Sequence, residues 1–127
     1  MSLEIANKFI EALRALEDSQ EVEPLAALYT PDAAIGNIIA PDRFHGPEGA
    51  RTFWKEYRGT FGTAVSTFRN VISSEGRAAL EWTTEGTNLK GKSLQYTGVT
   101  ILEIDGDHIT RSCAYFDPLG LGRQITA

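Results

Sequence analysis

The chain of 127 residues is 42% hydrophobic and 23% charged, the balance of one globular domain able to bury a core without disulfides or metals. A net charge of -5 argues against nucleic acid as a partner, which would need a basic face to neutralise phosphates. Cys113 stands alone and His45 and His108 are scattered, which argues against a disulfide, an iron–sulfur site or a metal cage and fits a reducing cytoplasm.

From Ser2 to about Asp18, Ile5, Phe9, Ile10, Leu13 and Leu16 fall at helical spacing and predict a first helix that Ser2 could cap. Val22 to Tyr29 reads as a second, shorter helix, with Pro24 in its first turn and Leu25, Leu28 and Tyr29 as its buried stripe. Ala33 to Ile39 is a candidate strand, followed by turn residues at Ala40-Pro41-Asp42-Arg43. Gly46-Pro47-Glu48 opens a third helix to about Phe61, whose Ala50, Phe53, Trp54, Tyr57 and Phe61 form an aromatic face.

The remainder predicts strands over Ala64 to Ser73, Arg77 to Gly86, Leu94 to Ile104 and Ile109 to Asp117, with turns at Ser74-Glu75-Gly76 and Asp105-Gly106. The apolar run from Val99 to Ile104 suggests burial on both faces, by helices on one side and a second subunit on the other. Three helices followed by mostly antiparallel strands make a single α+β domain over residues 1–127. No basic start and apolar block mark a signal peptide, and no run approaches the ~18 apolar residues of a membrane span, so the expected compartment is the cytoplasm.

Leu28-Tyr29-Thr30-Pro31-Asp32-Ala33, then Phe44-His45-Gly46, then Asp105-Gly106 with Ile109 and Tyr115-Phe116-Asp117 resemble, in order and spacing, the SnoaL-like (polyketide cyclase-like) branch of the nuclear-transport-factor-2-like superfamily. The resemblance implies a cystatin-like cone: a curved sheet wrapped around the helices and enclosing an apolar pocket. Homodimers through the outer face of the sheet are common in that group, and its reactions need no cofactor. Because it holds cyclases, isomerases, hydrolases and non-enzymes, the pocket residues decide the function.

Set against the ketosteroid isomerases, the general-base position falls on Asn37, the oxyanion-hole tyrosine on Phe9 and its protonated aspartate on about Thr100. Set against the limonene-type epoxide hydrolases, Asn37 matches the asparagine, while the tyrosine falls on Ile35 and the last-strand aspartate on Ala114. Ala114 also replaces the acid of the SnoaL-type cyclases, leaving Glu81, Glu85 or Asp117 to stand in.

Asn37 on a short apolar strand is either a pocket hydrogen-bond donor or a residue that satisfies a strand end. Trp54, Tyr57 and Trp82 are core or pocket wall for a flat apolar ligand. Strand alternation puts Trp82 and Glu81 on opposite faces; with Trp82 inward, Glu81 faces out and pairs with a base such as Arg69. Likewise Ala114 and Phe116 share one face, and Tyr115 and Asp117 the other, with Asp117 structural ahead of Pro118. His45 falls at the pocket mouth.

The sequence thus predicts a small-molecule pocket protein, lined by Ile35, Asn37, Trp54, Tyr57, Trp82, Thr100, Ala114 and Phe116. Asn37, Glu81 and Asp117 are its candidate catalytic groups. The enzymatic reading is a cyclase or isomerase acting on a reactive carbonyl or polycyclic compound with the usual acids missing. The alternative is a non-catalytic ligand-binding or sequestering protein.

Overall fold

The structure, a computed structural model, describes residues 2–127. Its elements in chain order are α1 (Ser2–Ser19), α2 (Glu23–Ala26), β1 (Tyr29–Asn37), β2 (Phe44–His45), α3 (Gly46–Gly59), β3 (Thr63–Ser74), β4 (Arg77–Thr87), β5 (Ser93–Asp105), β6 (His108–Phe116) and α4 (Pro118–Thr126). The six strands form one curved, unclosed sheet in the order β2-β1-β6-β5-β4-β3. Neighbours run antiparallel except β1 and β6, which run parallel. This is the α+β cone that the resemblance implied, with α1 and α3 in its concavity. Among the described residues, no helix is long and apolar enough to cross a membrane.

The core forms where the stripe of α1 meets the inner face of the sheet. Ile5, Phe9, Leu13 and Leu16 pack with Leu80, Leu102 and Ile109, all buried. Each large aliphatic side chain buried this way contributes roughly 1.5–3 kcal/mol. Ser2 does not cap α1; its hydroxyl accepts a hydrogen bond from Gly76 N at 3.0 Å and ties the helix start to the β3–β4 turn. At the other end Gln20 adopts a left-handed φ of 59°, and the chain breaks away.

The second helix is a single turn rather than a run to Tyr29. Thr30 precedes Pro31, and the proline ring disfavours helical geometry in the residue before it. Tyr29 therefore starts a strand, and the register of β1 against β6 shifts between Tyr29 and Ala34, around a proline with no N–H to give. β1 ends two residues earlier than expected, at Asn37. The following loop folds back over Gly36, where a Cβ would lie 2.7 Å from Asp42 N.

Turn positions follow glycine. Gly76 and Gly106 take φ of 80° and 63° in the β3–β4 and β5–β6 turns, the latter falling on Gly106-Asp107. On β5 the inner residues Leu94, Thr100, Leu102 and Ile104 are buried, whereas the outer Val99 and Ile101 are only half-buried in one chain. α4 has no counterpart in the sequence reading. Asp117 caps it by accepting from Leu119 N at 3.2 Å, and Pro118 occupies its first turn. Asn88, buried in the β4–β5 loop, donates to Gln124 O at 3.0 Å and staples α4 to the sheet.

Candidate functional site

Between the inner face of the sheet, α1, α3 and α4 lies a cavity of about 330 Å³. Its wall is mainly aromatic. Phe44, Phe53, Trp54, Tyr57, Phe61 and Tyr96 meet in sequence with ring centroids 4.9–6.1 Å apart. Phe9 joins this series at Trp54, and Trp82 and Phe116 join it at Tyr96. Most of these contacts are edge-to-face, which fixes the rings against each other and leaves a flat-sided space. The sheet makes room for Trp82 opposite it: a Cβ on Gly98 would lie 2.7 Å from the indole ring.

Both indole N–H groups are satisfied within the protein. Trp82 Nε1 donates to Thr100 Oγ1 at 2.9 Å, and Trp54 Nε1 donates to the Tyr29 hydroxyl at 3.2 Å. That hydroxyl also meets Ser112 Oγ at 2.9 Å. Burial pushes the Tyr29 phenol up to about 12, with the Ser112 and Trp54 bonds pulling the other way.

Two polar ends interrupt the apolar wall. At one, Asn37 closes β1, and its Oδ1 accepts from Ile39 N at 3.0 Å and Ala40 N at 3.2 Å. This bond pair ends the strand and holds the loop that carries Ile39, Ala40 and Arg43 to the cavity mouth. Arg43 lies over the Phe44 ring, 4.9 Å from its centroid.

The opposite end is built on Glu17, which is 6% exposed. Its Oε2 accepts from the Tyr57 hydroxyl at 2.7 Å and from Ser66 Oγ at 2.6 Å, and its Oε1 accepts from Ser66 N at 2.8 Å. Ser66 Oγ lies 2.7 Å from Thr84 Oγ1, and Tyr96 faces Thr84 across the β4–β5 ladder. Tyr57, Ser66, Thr84 and Tyr96 line the cavity, with Glu17 directly behind them. Arg58 ties this corner together, donating to the Glu17 carbonyl at 3.2 Å and the Phe61 carbonyl at 3.1 Å. Burial first, and then the negative charge of Glu17, hold the Tyr57 and Tyr96 phenols well above their ordinary value, so both stay protonated.

Of the residues expected in the pocket, Asn37, Trp54, Tyr57, Trp82, Thr100, Ala114 and Phe116 border the cavity. Ile35 does not; it shares the inner face of β1 with Asn37, but helix residues packed on it leave it fully buried in the core. Glu81 lies on the outer face and accepts from Asn70 Nδ2 at 2.6 Å, so its partner is Asn70 and not Arg69. A bulge between Phe68 and Asn70 brings Asn70 into register with Glu81. Asp117 is the α4 cap, outside the cavity. His45 is exposed and precedes α3 without lining the cavity.

Glu17, Ser66 and Tyr96 were absent from the sequence reading, as were Leu121 and Ile125, which α4 brings to the mouth. One signal for Glu17 was available. It follows Leu13 by four residues and so belongs to the apolar stripe of α1, where a carboxylate is costly without partners. Among the described residues, the one carboxylate that borders the cavity itself is Glu56, exposed at the mouth.

The sequence matches the model of the SnoaL-like domain over residues 7–112. No curated protein matches it. Among solved structures it is similar to TerC co-crystallized with polyporic acid, at 17% identity, a TM-score of 0.84 and 98% coverage of each chain. It is also similar to a putative SnoaL-like polyketide cyclase from Jannaschia sp. CCS1, with 15% identity, a TM-score of 0.83 and coverage of 98% and 91%. A third is a protein with a ketosteroid isomerase-like fold from Catenulispora acidiphila DSM 44928 in complex with trimethylamine. It is 16% identical, with a TM-score of 0.81 and coverage of 99% and 95%. At these identities the likeness is one of fold.

Proposed function

Because the chain belongs to the SnoaL-like family, we propose that its cavity receives one flat, largely apolar aromatic or polycyclic small molecule. The observation that carries this reading is the wall of nine aromatic rings around a space of about 330 Å³, within the usual range of ligand pockets. Polyporic acid in TerC supports a fold that admits small organic compounds. Binding without turnover is the form that the geometry supports best. The ketosteroid-type base position is an amide, Asn37, whose oxygen is already engaged by the backbone, and Ala114 offers no acid. A second reading, a cofactor-independent cyclase or isomerase for a carbonyl compound, is favoured by one observation: Glu17 stands a single hydrogen bond behind the cavity surface at Tyr57.

The working form in this proposal is a cytoplasmic homodimer joined through the outer sheet face. Calorimetric titration with flat polycyclic probes tests the pocket. One molecule per chain is expected to bind, and Ala114→Trp, which fills the space beside Asn37 and Thr100, is expected to weaken binding at least about tenfold. Failure of all such probes to bind, or unchanged affinity in Ala114→Trp, removes the reading.

A further inference from the structure

The hydroxyl hydrogens of Tyr57 and Ser66 are both committed to Glu17. We infer that Tyr57 accepts a hydrogen bond from the ligand and gives none, so that the ligand is a hydroxylated aromatic compound seated with its O–H toward Tyr57. The inference rests on the reading of the cavity as a pocket for a flat aromatic molecule.

A hydroxyl carries one hydrogen, and a carboxylate only accepts. Tyr57 gives its hydrogen to Glu17 Oε2, and Ser66 gives its own to the same oxygen. The 2.7 Å contact between Ser66 and Thr84 therefore has Thr84 as donor. Donation thus runs from Thr84 through Ser66 to Glu17, and from Tyr57 to Glu17 directly. What Tyr57 turns toward the cavity is the lone pairs of its phenol oxygen. A ligand hydroxyl extends this chain by donating to Tyr57, and the buried charge at its end strengthens each bond along it. A ligand carbonyl would set lone pair against lone pair.

The other end has the opposite polarity. The two backbone N–H groups that Asn37 Oδ1 accepts fix the side-chain amide, leaving its Nδ2 hydrogens as the free groups. A ligand carbonyl or ether oxygen belongs there. The cavity therefore orients its guest, hydroxyl toward Glu17 and acceptor toward Asn37.

The test uses three naphthalenes that share a 2-acetyl group for Asn37 and carry hydroxyl, methoxy or acetyl at position 6, titrated calorimetrically into the native protein. The 6-hydroxy probe is expected to bind about tenfold tighter than either of the others. In Glu17→Gln the amide oxygen stays on Ser66 N and the amide hydrogens face Tyr57 and Ser66, freeing the Tyr57 hydrogen. The preference should then pass to the 6-acetyl probe, a reversal that loss of stability alone does not produce. Tyr57→Phe, which keeps Glu17 and removes the accepting oxygen, should bring the three affinities together whether or not Glu17→Gln folds. Equal affinities in the native protein, or tighter binding of the 6-acetyl probe, overturn the inference while leaving the pocket intact. Binding of none of the three overturns both.

Discussion

Glu17 makes three hydrogen bonds through its carboxylate and anchors Arg58 through its carbonyl, so one residue joins α1, α3 and β3. Hydrogen bonds to a charged acceptor are worth roughly 1.5–3 kcal/mol each, and the cost of burying the charge offsets much of that sum. Tyrosine carries the pH dependence of this interior. The folded protein keeps the Tyr29 proton to about pH 12, whereas the unfolded chain releases it near 10.0. The stabilisation is thus complete below pH 10 and is lost as pH rises through 12; Tyr57 and Tyr96 shift in the same direction. Alkaline titration should show phenolate absorbance from these three residues growing only together with loss of near-ultraviolet circular dichroism. Their ionisation in a protein that keeps its tertiary signal would contradict this.

At the scale of elements, α4 is the weakest link in the cavity wall. It has no buried residues of its own, carries Gly120 and Gly122, and depends on the Asp117 cap and the Asn88 staple. Asp117→Ala should cost about 1 kcal/mol of local stability. Hydrogen exchange should quicken across α4 and stay unchanged in β5; uniform change along the chain would show that α4 does not open on its own. The same helix shows where the sequence was readable. α1, α3 and the four long strands carry periodic apolar residues or Gly turns, and their placement follows from that. Asp117-Pro118 was a start signal for α4, but two glycines and sparse apolar residues weakened the pattern behind it. The face of the sheet that a residue takes was legible where strand parity held, as at Trp82, Ala114 and Phe116. Glu17 was not legible, because a charged residue at the end of a helix reads as solvated until the partners from β3 and α3 are known.

For the whole molecule, the outer face of the sheet is the surface left to explain. Val99 and Ile101 are half-buried there, Ile72 is 66% exposed, and Tyr115 is 39% exposed. Ile72, Ala79, Ile101 and Cys113 run in one cross-strand row. With the proposed homodimer closing on this row, scattering at micromolar concentration should give twice the chain mass, and Ile101→Asp should give one. A native monomer under those conditions would remove the dimer from the proposal.

The two tryptophans of the chain are Trp54 and Trp82, one on α3 and one on β4, and both face the same cavity with their N–H groups hydrogen-bonded inside the protein. All indole emission from this protein therefore originates in the walls around one small volume. No surface indole adds a background signal, so a guest molecule reports its own arrival in the tryptophan emission of the protein, without a label.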